Sequence, residues 1–426
     1  MERLTTGLFD AAKASVNLAI GLVGAMAFFL GLMKVAEAGG MLAAVARAIR
    51  PVMELLFPDV PADHPAMGAM IMNMSANALG LGNAATPFGI KAMQELDTLS
   101  TEKGTATNAM ALFLAINTSS VTLLPTGVIA LRDVMGSQSP AGIMGTTLFA
   151  TLLSSSTAVV AAKVLSRTSP DPGAAPHAGA SGWTALAFFP GLAWGAGMMV
   201  LTVVGQWLGI VALIASVLGV LPVARRNAGL LLGLYGTVAG ALVVLLVAWG
   251  SAIGPWVVPA IVLGLLTWGY AAGVPVYETF VEGAKDGFSV ATKIIPYLVA
   301  ILGAVGMLRG SGFIDVFVSV VGPVTGVVGL PAEALPMALL RPLSGSGAYG
   351  VMTEIMSTQG PDSYAGYLVS TLQGSTETTF YVLAVYFGAV QVVRIRHAMA
   401  AALLADLMGI VGAIVAVQAY FWLNGL

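Results

Sequence analysis

The sequence predicts an all-α polytopic membrane protein: two inverted-topology repeats with broken, re-entrant helices, and extra transmembrane helices between them. Three observations carry this expectation. Hydrophobic residues fill 58% of the 426 positions and charged residues only 9%, whereas soluble domains carry about a quarter charged residues to face water. So apolar a surface would aggregate in water and suits lipid. Blocks of pattern recur in the same order near both ends of the chain. In both copies, polar segments rich in Gly and Pro interrupt apolar sequence.

The first dozen residues, with Glu2, Arg3 and Asp10 followed by Lys13, read as an amphipathic lead-in at the interface. Val16–Met33 is long enough to span, and no small-residue cleavage site before a soluble domain follows it, so it is not expected to be a cleavable signal. Met41–Phe57 forms a second helix bearing Arg47 and Arg50. Two polar-interrupted stretches follow, Ala66–Met93 and Asn108–Leu131, and then the apolar segment Ile143–Leu165. Residues 1–165 make the first repeat. Residues 166–182, with "SRTSPDPGAAPHAGAS" at their core, form a linker of Pro, Gly and Ser without apolar periodicity. Residues 183–275 hold four ordinary spans, near 183–203, 205–222, 228–250 and 253–272. Residues 276–426 form the second repeat, opening with an amphipathic stretch at Tyr277–Lys293 that reads as an interfacial helix.

The repeat rests on three aligned blocks. "GGMLAAVARAIRPVMELL" (39–56) matches "SGFIDVFVSVVGPVTGVV" (311–328), placing Pro51 on Pro323. "HPAMGAMIMNMSANALG" (64–80) matches "LPMALLRPLSGSGAYGV" (335–351), placing Asn73 and Ser75 on Ser344 and Ser346. "FLAINTSSVTLLPTGVI" (113–129) matches "VSTLQGSTETTFYVLAV" (369–385), placing Asn117 and Ser119 on Gln373 and Ser375. Basic loop clusters at Lys163/Arg167, Arg225/Arg226 and Arg394/Arg396 fit the cytoplasmic side. The closing segment of copy one then runs inward and that of copy two outward, so the copies are expected to be inverted, as in many secondary transporters.

Four polar constellations stand out. "NMSANALGLGNAATPFG" (73–89) offers Asn73, Ser75, Asn77 and Asn83, while Gly80, Gly82 and Pro87 oppose a continuous helix. Unwound backbone within a membrane needs protein or a water-filled cavity around it, and the free ends of half-helices bind ions. A helix-packing face of small residues and Asn would also account for part of this block. "NTSSVT" (117–122) brings Asn117, Thr118 and Ser119 together. A helix stopping near Asn117 is expected there, with Ser119 or Ser120 capping the next; hydroxyls bonded back to their own helix are the alternative. "RPLSGSGAYGVMTE" (341–354) and "QGSTETTFY" (373–381) contribute Ser344, Ser346, Gln373, Ser375 and Thr376, and add three charges: Arg341, Glu354 and Glu377. A charge within a span is costly enough to suggest function. Arg341 either bridges to Glu354 or Glu377 or anchors a carboxylate or phosphate, and Glu377 is the better proton or cation carrier.

Several classes are not expected. With no Cys there is no disulfide or thiolate chemistry. Three scattered His residues do not suggest a metal site, and a net charge of −2 does not suit nucleic acid. No phosphate-cradling loop, HExxH motif or other catalytic signature is present, so neither an enzyme nor a cofactor is expected. A membrane enzyme would need a water-accessible Glu354–Glu377 pair.

At two places the chain is recognisable. "MSANALGLGNAATPFGIKAMQEL" (74–96) resembles spore maturation protein A. "RPLSGSGAYGVMTEIM" (341–356) with "GPDSYAGYLVSTLQGSTETTFYVLAVYFGAV" (360–390) resembles spore maturation protein B. The chain looks like a fusion of the two, within the nucleoside recognition (Gate) group. The resemblance implies a multi-pass protein of the bacterial inner membrane and a transport-type fold. The partners expected are the lipid bilayer and a small polar solute, anionic or zwitterionic, with H⁺ or Na⁺ as a coupling ion; a homo-oligomer is left open. A non-transporting scaffold or lipid-handling protein of envelope or spore maturation is the alternative.

Overall fold

The structure is a computed structural model describing residues 2–80, 82–120, 122–166, 188–203, 211–217, 228–285 and 311–425, with isolated positions between 288 and 307. Among the described residues the protein is helical, and its sole β-type contact is an isolated bridge between Thr105 and Arg394.

Copy one begins with α1 (Glu2–Ala38), a single helix that merges the expected lead-in and first span. Gly40, at φ 76°, turns the chain by 70° into α2 (Met41–Leu56). Then follow α3 (Pro65–Ala78), α4 (Gly82–Thr98), α5 (Asn108–Ser119), α6 (Thr126–Val134) and α7 (Met144–Leu165). The central part contains α8 (Phe188–Val203), α9 (Ala228–Ala248) and α10 (Gly250–Ala271). The expected span near 205–222 is described only as a helix over 211–217, and the amphipathic stretch only as a helix over 276–285. Their remainders, Phe288 apart, lie outside the described residues, as do the linker from 167 onward, Arg225 and Arg226. Copy two comprises α11 (Phe313–Val327), α12 (Leu335–Leu340), α13 (Gly345–Gln359), α14 (Tyr364–Ser375), α15 (Thr379–Gly388) and α16 (Ala398–Asn424).

The repeat is visible in local geometry. Gly312, at φ 74°, precedes α11 as Gly40 precedes α2, and both helices carry an internal proline at the aligned place. Thr107 and Ser363 cap α5 and α14 in the same way, each side chain accepting from the backbone N–H three residues on. Such a cap satisfies one of the donors left over at a helix start. Both helices are twelve residues long and stop inside the aligned polar motif. The closing helices run antiparallel: Gly409 of α16 faces Ser154 of α7, and Gly412 faces Ala150. Rising residue numbers on one meet falling numbers on the other, the sense expected of inverted copies.

Two of the described helices, Pro140–Leu165 and Ala398–Asn424, are each long and apolar enough to cross a bilayer, and the two bent pairs at 23–56 and 318–340 bring this to four. Val316, Val320, Val324 and Val327 stand exposed along α11, a stripe at helical spacing that suits contact with lipid. The copies are also clamped together away from their centre. Arg132 of α6 is fully buried. It donates to the carbonyls of Pro140 (3.1 Å) and Pro361 (2.6 Å), to Ser370 Oγ (3.2 Å) and to Asp362 (2.7 Å). Its guanidinium also lies 4.5 Å from the centre of the Tyr367 ring.

Candidate functional site

Four interruptions in helical structure meet at one place. The first, between α3 and α4, turns on Gly80 at φ 73°. A Cβ there would come within 2.5 Å of the Leu124 carbonyl oxygen, so only glycine allows the second interruption, between α5 and α6, to lie so close. The two are tied by Leu123 N–H donating to Ala78 O at 3.0 Å. The third spans 341–344, where Pro342 lacks a backbone donor and disfavours helix in the residue before it. The fourth is Thr376-Glu377-Thr378, between α14 and α15. The Glu377 N–H donates to Thr118 O at 2.7 Å, and the Phe380 N–H to Pro342 O at 3.1 Å. Backbone hydrogen bonds therefore link interruption one to two, two to four, and four to three.

Between them lies a cavity of about 230 Å³. Copy one contributes Asn77, Gly80, Thr122 and the stretch 124–128. Copy two contributes Arg341, Gly345, Tyr349, Gln373, Gly374, Glu377 and Thr378. Arg341, 5% exposed, donates to the carbonyls of Gln373 (3.2 Å) and Thr376 and to Thr378 Oγ1 (3.3 Å). It lies 3.8 Å from Glu377, whose side chain is 45% exposed. Glu377 therefore faces the cavity while the guanidinium is largely committed to protein oxygens. Beside the cavity runs an amide network. Asn77 Nδ2 donates to Asn117 Oδ1 (3.1 Å), which also accepts from the Tyr386 hydroxyl (3.4 Å). Asn73 Nδ2 donates to Ala85 O (2.8 Å) and to the Tyr386 oxygen (3.1 Å).

The residues singled out in the sequence divide into three groups. Asn77, Arg341, Gln373 and Glu377 border the cavity. Asn73 and Asn117 are buried in the network beside it, and Thr376 contributes its carbonyl to Arg341. Ser75, Thr118, Ser119 and Ser375 are buried and donate to carbonyls of their own helices, which removes their hydroxyls from the cavity wall. Ser344 caps α13 by accepting from Gly347 N–H, and Ser346 sits half-buried in the first turn of α13. The side chain of Asn83 lies outside the described residues. Two expectations need correction. Ser119 and Ser120 end α5, with Ser120 at φ 41°, and Pro125 precedes α6; the start of α6 has no hydroxyl cap. Glu354 lies nine residues beyond Gly345 on α13, about 13 Å at 1.5 Å per residue, and does not border the cavity.

Sequence reasoning missed three residues. Tyr386 joins Asn73 to Asn117. Arg132 makes the peripheral clamp, through partners some 230 positions away. Asp406, 4% exposed, accepts from Thr379 Oγ1 at 2.6 Å. A lone acid in the apolar α16 was signal enough to find it.

Comparison with known proteins gives the family. The sequence profile described as "Nucleoside recognition" (Gate) matches residues 19–170 and 291–392. Spore maturation protein B of Bacillus subtilis (strain 168) is 46% identical over 164 residues, 38% of this chain and 92% of that protein. Spore maturation protein A of the same organism is 44% identical over 160 residues, 38% of this chain and 82% of that protein. The inner membrane protein YjiG of Escherichia coli (strain K12) is 32% identical over 81 residues, 19% of this chain and 53% of that protein. No solved structure matches the chain. Together with the apolar helices, these relatives make it a multi-pass protein of the bacterial inner membrane. The chain belongs to the nucleoside recognition (Gate) family, as a fusion of spore maturation A-like and B-like parts.

Proposed function

We propose that the protein is a secondary transporter of a small zwitterionic solute that binds where the four helix interruptions meet. The observation that carries this reading is the placement of Arg341 and Glu377 on one wall of a cavity to which both inverted copies contribute. Transporters of inverted-repeat design bind their cargo at such discontinuities, where unwound backbone supplies polar groups at membrane depth. A volume of about 230 Å³ falls below the roughly 300–1,000 Å³ of sites for drug-sized ligands and suits a solute of amino-acid size. The exposed Glu377 carboxylate calls for a cationic group, while Asn77 and Gln373 offer amide donors to an anionic one. A neutral nucleoside, which the family description brings to mind, would leave Glu377 with only its long contact to Arg341, whose guanidinium is largely committed to protein oxygens.

The test is thermal stabilisation of the purified protein across a panel of amino acids, small carboxylates, amines and nucleosides, followed by flux into proteoliposomes. A true cargo raises the melting temperature of the wild type and not that of Glu377→Gln or Asn117→Ala. If both variants respond to every hit as the wild type does, the site is misplaced. The names of the B. subtilis relatives support a second reading, a non-transporting role in spore or envelope maturation. That reading predicts no flux for any solute and lipid bound along the groove between the copies.

A further inference from the structure

Helix α16 runs for 27 residues, about 40 Å at 1.5 Å per residue, and Asp406 is its only charged residue. The carboxyl group is sealed in. Its Oδ2 accepts the Thr379 hydroxyl at 2.6 Å, while its buried Oδ1 has no hydrogen-bond partner. The surroundings hold the helix tightly at this level. Ser154 of α7 donates to the carbonyl of Ala405 at 2.8 Å, and Thr376 and Ser154 pack against Gly409 one turn on.

The charged neighbours can be named. Arg341 interacts electrostatically with Asp406 and with Glu377. Among the described residues, the other elements against α16 bring no second cation to Asp406; α9 has a single titratable group, Tyr235, which donates to the Ala48 carbonyl. Among their described residues α5 has no titratable group. Lys163 of α7 is bonded to Leu56 O at the far end of that helix. Tyr367 of α14 stacks on Tyr420, and Tyr364 lies against Phe421, more than three turns from Asp406. Tyr386 of α15 is held by Asn73 and Asn117. His397 lies nine positions earlier, at the N-cap of α16. Among the described residues one guanidinium thus lies in the field of two carboxylates, leaving an excess negative charge at membrane depth. An unneutralised buried charge is costly, and a buried carboxyl escapes that cost by binding a proton.

We infer that Asp406 is a proton-binding site: Oδ1 takes one proton, Oδ2 remains the carbonyl that accepts from Thr379, and the group with Arg341 and Glu377 becomes neutral. A metal cation fits less well, because hard cations gather several converging oxygens, whereas Ser154 here is turned onto a carbonyl. Thr376 touches α16 and Thr379 touches Asp406, on either side of Glu377. A solute that engages Glu377 therefore acts on a segment joined to the proton site. This coupling role rests on the transport reading; the proton site itself does not.

The experiment is infrared titration of the full chain in nanodiscs between about pH 4 and about pH 10, a range wide enough to hold perturbed carboxyls, with no solute added. The wild type is expected to show the carbonyl stretch of a protonated carboxyl, lost as pH rises. The band is expected to vanish in Asp406→Asn and to persist in Glu377→Gln. It should move to higher frequency in Thr379→Val, which removes the hydrogen bond to the carbonyl while leaving every charge in place and serves if Asp406→Asn fails to fold. The inference is overturned if no such band appears, if it survives in Asp406→Asn, or if Thr379→Val leaves it unmoved. Suppression of the band by sodium chloride relative to choline chloride at fixed pH would also overturn it, in favour of a Na⁺ site. A correct band without solute flux leaves the proton site standing and removes the transport reading; flux without the band does the reverse.

Discussion

Replacing Arg341 tests whether the four-interruption junction depends on one guanidinium. Helix α14 ends at Ser375, so its last carbonyls have no partner within the helix. Arg341 supplies the missing donors, binding the carbonyls of Gln373 and Thr376, and places positive charge at the negative end of the helix dipole. Arg341→Ala orphans both carbonyls, which lie largely buried behind the cavity wall. At about 1–3 kcal/mol for each unsatisfied buried group, the loss is about 2–6 kcal/mol. Arg341→Lys has one ammonium for two diverging acceptors, and its expected loss is about half of that. The ion pair to Glu377 adds little, because it is long and nearly half exposed, and such pairs are worth about 0–1 kcal/mol. The assay is thermal unfolding of the detergent-purified protein. The expected order of melting temperature is wild type with Glu377→Gln close beside it, then Arg341→Lys, then Arg341→Ala. If Arg341→Ala melts with the wild type, or Glu377→Gln costs more than Arg341→Ala, the arginine is not the cap of this junction.

Gly80→Ala should cost more stability than Gly40→Ala in the same melting assay. Both force a side chain to positive φ, at about 1–2 kcal/mol, but only the Gly80 Cβ meets a backbone oxygen, while Gly40 faces open space. Arg132→Ala should lose about 3–5 kcal/mol, since it strips a fully buried donor from the Pro140 and Pro361 carbonyls. Asp362→Asn leaves the fully buried Arg132 guanidinium without its counter-charge and should lose about 3–5 kcal/mol as well; a loss near zero from either would argue against the clamp. Gly89→Ala places a Cβ about 2.1 Å from the Tyr386 hydroxyl. It should displace that ring, weakening any solute stabilisation that depends on Asn117 while leaving the Arg341 junction intact.

Much of the architecture was legible because its signals are local. Gly80 marks a helix interruption by backbone chemistry alone, and the aligned Pro51 and Pro323 mark equivalent places in two copies. The hydroxyls misled for an equally local reason. A Ser or Thr anywhere in a helix can bond to the carbonyl three or four residues back, as Ser75, Thr118, Ser119 and Ser375 do. A polar run in a membrane sequence therefore does not say which of its members face a cavity. The clamp was beyond reach for the opposite reason. Arg132 meets Pro361 and Asp362 across some 230 positions, and nothing near Arg132 in the sequence points to them. Asp406 is a different case: the signal was present, but without Gly, Pro or polar neighbours to draw attention to it.

The two copies differ where their interruptions fall. In the aligned blocks Asn73 corresponds to Ser344 and Pro65 to Pro336. In copy one, however, the helix runs on through Asn73 to Ala78, while in copy two it stops at Leu340. Pro342 accounts for the early stop, since copy one has Ile71 at that place. The shift puts Arg341 at an interruption rather than within a helix, where its guanidinium can reach the end of α14. The equivalent helix of copy one, α5, ends differently. Its terminal carbonyls accept from neutral donors, the Glu377 N–H on Thr118 O and the Thr151 hydroxyl on Ser119 O. Two helices of equal length and matching start thus carry different caps, one neutral and one cationic. Copy one has Met70 where copy two has Arg341, so the asymmetry comes from the charge together with the proline that sets it at an interruption. That arrangement places any recognition of solute charge on the side of the cavity built by copy two.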